Sequence, residues 1–152
     1  MKKDVLISIQ GLQSMDDPGT DEVTLTTEGR FYRKADNYYL VYDESEVTGF
    51  EDTRTTVKIS GDGQGVTVTR SGKYPSLLSF RPDVRHMGLY NTEYGGITIA
   101  VATRSIDSSL TDDGGRIHVD YDIEFQHAHL SSNSLTIDVR PLPLQPGGTV
   151  SL

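Results

Sequence analysis

At 152 residues, with a formal net charge of −8 and no cysteine, the chain has room for one domain with a core and none for disulfides, thiolate metal sites or thiol nucleophiles. The sign of the charge argues against a nucleic-acid backbone or an anionic membrane as the main partner, and no run of Lys and Arg announces a basic patch. The opening residues lack the apolar run and small-residue cleavage site of a secretory signal, and no segment approaches the ~20 apolar residues of a membrane helix, so the expectation is a soluble cytoplasmic protein.

The first predicted strand is Val5–Gln13, with Val5, Ile7 and Ile9 on its apolar side. Asp16-Asp17-Pro18-Gly19 supplies a turn into a second strand, Glu22–Lys34, where Gly29 predicts a bulge or bend. Asp36-Asn37 turns the chain into Tyr38–Glu46, whose Tyr38, Leu40, Tyr42, Glu44 and Glu46 share one side; either side is a candidate for the interior. Thr53–Ser60 and Val66–Arg70 flank Gly61-Asp62-Gly63, an Asp-Gly hairpin signal. Short Ser76–Phe80 and alternating Val84–Asn91 follow, then Gly96–Thr103, with a continuation toward Leu110.

Asp112-Asp113-Gly114-Gly115 closes a hairpin onto Arg116–His129, which reads as one long strand. There Ile117, Val119, Tyr121, Ile123 and Phe125 alternate with Arg116, His118, Asp120, Asp122, Glu124 and Gln126. Ser131-Ser132-Asn133 reads as the turn into a last strand carrying Leu135, Ile137 and Val139.

About eight to ten antiparallel segments with hairpin-length connections, and no amphipathic helix, describe an all-β up-and-down meander. Closure into a barrel removes the two exposed edges such a meander would leave, and a barrel of about eight strands is filled by side chains or holds one small ligand. A two-sheet sandwich is the alternative, but it needs longer connections between sheets than the sequence offers. The expected organisation is one barrel domain over residues 1–140 and a flexible tail over 141–152, where three of the six prolines fall.

Four segments in order, Tyr39-Leu40-Val41-Tyr42-Asp43-Glu44, Thr55-Thr56-Val57-Lys58-Ile59, Thr69-Arg70-Ser71-Gly72 and Arg85-His86-Met87-Gly88-Leu89-Tyr90, resemble the YwiB-like family of bacterial proteins. The resemblance runs from about Asp4 to Arg140. It implies a lipocalin-like calycin barrel, and it implies no activity and no catalytic residues, because the family is a domain of unknown function.

Alternation places Arg85 with Met87 and Leu89, and Arg70 with Val66 and Val68. If Tyr42 faces inward with Leu40, Glu44 does too, and Tyr121 lies on the apolar side of its strand. The candidate interior set is therefore Tyr42, Glu44, Arg70, Arg85 and Tyr121. A buried carboxylate needs a partner, so an inward Glu44 requires an arginine. One reading makes these residues the polar floor of a ligand pocket, with arginine forks suited to a carboxylate or phosphate; the other has them close the barrel mouth by satisfying one another.

Other patterns carry less. His127 and His129 share a face on a continuous strand, but no third ligand accompanies them, so neither a metal nor any other cofactor is expected. Ser, His and Asp occur without a nucleophile elbow, and Gly61–Gly65 lacks the helix and Lys-Ser/Thr pair of a phosphate loop. Asp16-Asp17 and Asp112-Asp113 lack the spacing of a calcium loop.

The leading expectation is thus a non-enzymatic barrel with a small molecule inside. The alternatives are an enzyme using Glu44 as acid or base with an arginine clamp, and an interaction module that uses its outer sheet face, a homodimer included.

Overall fold

The computed structural model describes residues 1–15, 20–44, 52–92 and 95–142. The expected turn at Asp16–Gly19, the end of the expected third strand at Ser45-Glu46 and the tail from 143 onward lie outside them. Ten strands follow in order: β1 Lys2–Met15, β2 Thr20–Lys34, β3 Asn37–Asp43, β4 Thr53–Ile59, β5 Val66–Gly72, β6 Ser76–Phe80, β7 Arg85–Thr92, β8 Gly95–Ser108, β9 Gly115–Phe125 and β10 Ala128–Pro141. Each pairs antiparallel with the next, and β1 pairs with β10, which closes the barrel. Pro141, expected in the tail, stands opposite Val5 at the end of β10.

Period-two alternation builds the interior. On β4, Thr53, Thr55, Val57 and Ile59 are buried while Arg54 and Lys58 are exposed. One end of the barrel is dry: Phe31, Leu40, Ile59, Val66, Phe80, Ile117 and Val139 are all buried there, and Phe31 stacks on Tyr38 at 5.1 Å. Each large side chain buried this way stabilises the fold by roughly 1.5–3 kcal/mol.

Three local expectations need correction. Arg116–His129 is not one strand: Gln126 (φ 51°) and His127 (φ 67°) form a two-residue hairpin loop between the paired Phe125 and Ala128. Two positive φ angles make this a loop of the primed kind, which Asn-Gly usually announces. His127 and His129 are therefore not alternate residues of one strand. Second, β10 continues through Ser131–Asn133, where a turn was expected, and a register shift between His129 and Ser131 turns Ser131 and Asn133 inward.

Third, β7 has the opposite face inside. Gly88 is buried, whereas Met87 is 68% exposed and Leu89 44%. A side chain at Gly88 would meet Leu78 Cδ2 at 3.0 Å and the Leu77 carbonyl at 3.1 Å, so the strand crosses too close to β6 for anything larger. His86, Gly88 and Tyr90 therefore face in, and Arg85 faces out.

Gly29 causes no register shift. Its absent Cβ is the space filled by Ile7 Cδ1 and the Val41 carbonyl, each 2.6 Å from where that Cβ would stand. Beyond it β2 and β3 part, because their pairing covers only Arg30–Lys34 against Asn37–Val41.

Candidate functional site

The odd-numbered strands run toward the end opposite the dry core, and β3, β5 and β7 bring polar inward residues to it. Tyr42 comes from the end of β3 and Glu44 directly follows that strand, Arg70 comes from β5 and Tyr90 from β7. They line a cavity of about 220 Å³ whose remaining wall is apolar, from Ile9, Leu25, Val57, Val68, Leu135 and Ile137. Gly11 on β1 completes the wall, and a Cβ built there meets nothing within 4 Å.

Glu44 is the chemical centre. Its side chain is 1% exposed, its Oε2 accepts a hydrogen bond from Thr55 Oγ1, and Arg70 Nε donates to the same oxygen at 3.3 Å. Arg70, at 17% side-chain exposure, links the buried carboxylate to the cavity. A carboxylate removed from water this completely is tolerable because both a charge and a hydroxyl compensate it.

The tyrosines remain protonated. Burial pushes the Tyr42 phenol far above its ordinary value, with the Glu44 carboxylate adding to the rise and Arg70 opposing it. Burial pushes Tyr121 up to about 12, helped by Tyr90 and opposed by Arg70. Tyr121 packs on Phe80 at 4.7 Å, beneath the cavity rather than in its wall.

Of the five expected interior residues, Tyr42, Glu44 and Arg70 meet in one place, and Tyr121 lies close by, half-buried against the core. Arg85 does not join them. It sits on the outer surface at 57% side-chain exposure, 2.9 Å from Glu124, because β7 turns its other face inward. Thr55 and Tyr90 belong to the site and were not singled out in the sequence. Thr55 shares the buried alternation of Val57 and Ile59, a signal that was readable; Tyr90 was masked by the hydrophobicity of Met87 and Leu89. Asn133 and Ser131, buried and joined by an Nδ2–Oγ hydrogen bond at 3.0 Å, form a second inward polar pair, with Gln13 donating to Ser131 at 3.3 Å.

A polar ladder also crosses the outside of β8–β10. His118 contacts Thr136 Oγ1 at 2.8 Å through Nδ1 and Asp120 at 3.0 Å through Nε2. Burial pushes the Asp120 carboxyl up, but hydrogen bonds from Ser134, His118 and Ser105, with the His118 charge, outweigh it and hold the group below the usual carboxylate range. The order hydroxyl–imidazole–carboxylate is that of a hydrolytic relay, yet it lies mid-sheet, where β8–β9–β10 ladders engage the backbone and build no oxyanion hole. Among the described residues no group of three or more His, Asp or Glu side chains is placed to hold a metal ion.

The sequence profile of the family described as "Domain of unknown function (DUF1934)" matches residues 7–137. The chain belongs to that family. The "Uncharacterized beta-barrel protein YwiB" of Bacillus subtilis (strain 168) is 30% identical over 141 residues, covering 91% of this chain and 96% of the relative. The crystal structure of the ywiB protein from Bacillus subtilis superposes with a TM-score of 0.74 at 26% identity, covering 90% of this chain and 92% of that one. The DUF1934 fold is thus a β-barrel in both, and neither description assigns an activity to the cavity around Glu44.

Proposed function

We propose that this chain is a non-enzymatic binding protein of the cytoplasm that holds one small molecule in the Glu44 end of its barrel, in the manner of calycin-type barrels. The observation that carries the reading is a cavity with an apolar wall and one compensated ion pair, Glu44–Arg70, at its polar side. Few convergent polar groups in an apolar recess are the ordinary make-up of a ligand site. At about 220 Å³ the space lies below the ~300 Å³ at which drug-sized pockets begin, and equals the share of about seven waters. The ligand is correspondingly small.

Its charge follows from the pair. Two inward arginines would favour an anion, but Arg85 is outside and the charge of Arg70 is balanced by Glu44. A neutral or zwitterionic molecule with an apolar body and a hydroxyl, amide or carbonyl head matches better than a bare carboxylate or phosphate. Glu44 serves as the buried anchor of this head rather than as an acid or base, since Thr55 and Arg70 already hold it.

A methyl NMR screen of small alcohols, amides and amino acids tests the reading. Binding shifts the methyls of Ile9, Val57, Val68, Leu135 and Ile137 and spares those of Ile59 and Val66 at the dry end. Shifts confined to the outer surface, or none across the screen, would refute it.

A further inference from the structure

The net charge of −8 is unevenly spread, and one outer face runs the other way. On the described residues, most arginines outside the cavity have carboxylate partners: Arg33 with Asp112, Arg54 with Asp43, Arg104 with Asp122 and Arg116 with Asp138. Lys2, Arg30, Lys34 and Lys58 make no ion pair with a described residue, and all four lie on the outside of β1, β2 and β4. No two are adjacent in sequence; the barrel brings them together.

Register aligns them with aromatic rings. Lys2 stands opposite Tyr32, Tyr32 opposite Tyr39, and Tyr39 opposite Lys58, a row across four strands. The rings of Tyr32 and Tyr39 stack at 5.0 Å with 10° between their planes. Three strand spacings of ~4.8 Å make this row about 14 Å long. Beside it a groove of about 390 Å³ is lined by Lys2, Arg30, Tyr32 and Lys34 with Val41, and no carboxylate is part of its wall. Asp4, in register with Arg30, and Glu28, two residues before Arg30 on the same face of β2, are acidic residues at its border.

We propose that this face binds a short segment of single-stranded nucleic acid. Phosphates are neutralised by Lys2, Arg30, Lys34 and Lys58, and a base stacks against Tyr32 in the groove. Interleaved cations and flat rings on an open sheet face supply both halves of such recognition, and neither half reads sequence. An acidic peptide would use the cations and gain nothing from the rings. An anionic membrane would find only Met1 and Val41 as apolar side chains in the groove wall. The site is separate from the barrel cavity, so the two readings stand or fall independently.

Fluorescence anisotropy with labelled oligouridine tests this. Wild-type affinity falls with salt along a log–log slope of about −3, as about four neutralised single-strand phosphates require. Lys34→Glu and Lys58→Glu each weaken binding about tenfold, whereas Arg116→Glu, with the same change of net charge on the opposite side, leaves it within about twofold. Tyr32→Leu weakens it about tenfold with the salt slope unchanged. Circular dichroism melting confirms that each variant is folded, and Lys58→Gln serves if a reversal unfolds the protein. Equal losses for Arg116→Glu and Lys34→Glu, no effect of Tyr32→Leu in a folded protein, or equal competition by oligoglutamate or phosphatidylserine vesicles would overturn the proposal.

Discussion

Arg70 donates through Nε to the carboxylate of Glu44 at 3.3 Å, and Glu44, at 1% side-chain exposure, has given up its contact with water. The pair is therefore asymmetric in consequence: removing the arginine strands a buried charge, while removing both removes the problem. Arg70→Met is expected to destabilise the fold by about 3 kcal/mol, and the double variant Glu44→Gln/Arg70→Met to recover most of that loss. Denaturant midpoints for the four members of the cycle measure it; additive losses would show that the pair is not coupled.

How much of this site was legible follows from particular residues. Simple alternation placed Arg70 inside, and it placed Glu44 there only on the condition that Tyr42 faces inward, which the sequence left open; β3 and β5 contain no register shift that would break the alternation. It failed on β7, where Gly88 is inside for lack of room and Met87 and Leu89 are outside despite being the apolar residues. Hydrophobicity indicates a face only when neighbouring strands leave space for side chains. The end of β9 was hidden because Gln126 and His127 adopt positive φ without glycine or asparagine to announce it. Ser131 and Asn133 resemble a turn in composition and are buried strand residues in fact. The basic face was invisible for a different reason, since its cations come from three strands that only closure brings together.

Two glycines make opposite predictions. Gly29→Ala places a methyl 2.6 Å from both Ile7 Cδ1 and the Val41 carbonyl, and a backbone oxygen cannot move aside cheaply. The expected cost is about 1–3 kcal/mol by chemical denaturation. Gly11→Ala meets nothing within 4 Å, so it should hold or raise stability by up to about 1 kcal/mol through the entropy of the unfolded chain. Equal effects at both positions would contradict the packing described for β1–β3.

Alkaline pH should unfold the barrel through its tyrosines. Tyr42 and Tyr121 have folded values raised above the ordinary value near 10, Tyr121 to about 12. Below pH ~10 both phenols are protonated in both states, and this contribution is whole. Above it the unfolded chain ionises while the folded one does not, so stability falls as pH rises. Absorbance at the tyrosinate band should show Tyr42 and Tyr121 resisting ionisation until the far-ultraviolet signal collapses. Full tyrosinate formation in a folded protein would be the contrary result.

Acid acts through the outer ladder. Burial raises Asp120 and Asp122, but hydrogen bonds from Ser134 and His118 to the first, and from Arg104 and Ser132 to the second, leave both below the usual carboxylate value. Their contribution is present above the unfolded value near 4 and is lost as pH falls through the lower folded values. Ser134→Ala should therefore lower the melting temperature at pH 7 and lessen its further fall as the pH drops below ~4.

Gly11 gives direct access to the space beside Glu44 in which the barrel would hold a small molecule. Gly11→Leu directs a side chain into the open space and leaves Glu44, Thr55 and Arg70 themselves unsubstituted. Native mass spectrometry of the wild-type protein and this variant, purified from the source cells under identical conditions, is the decisive measurement. A small molecule should co-purify with the wild type and be lost from a folded Gly11→Leu protein. The same adduct on both, or a bare wild-type chain, would contradict this expectation.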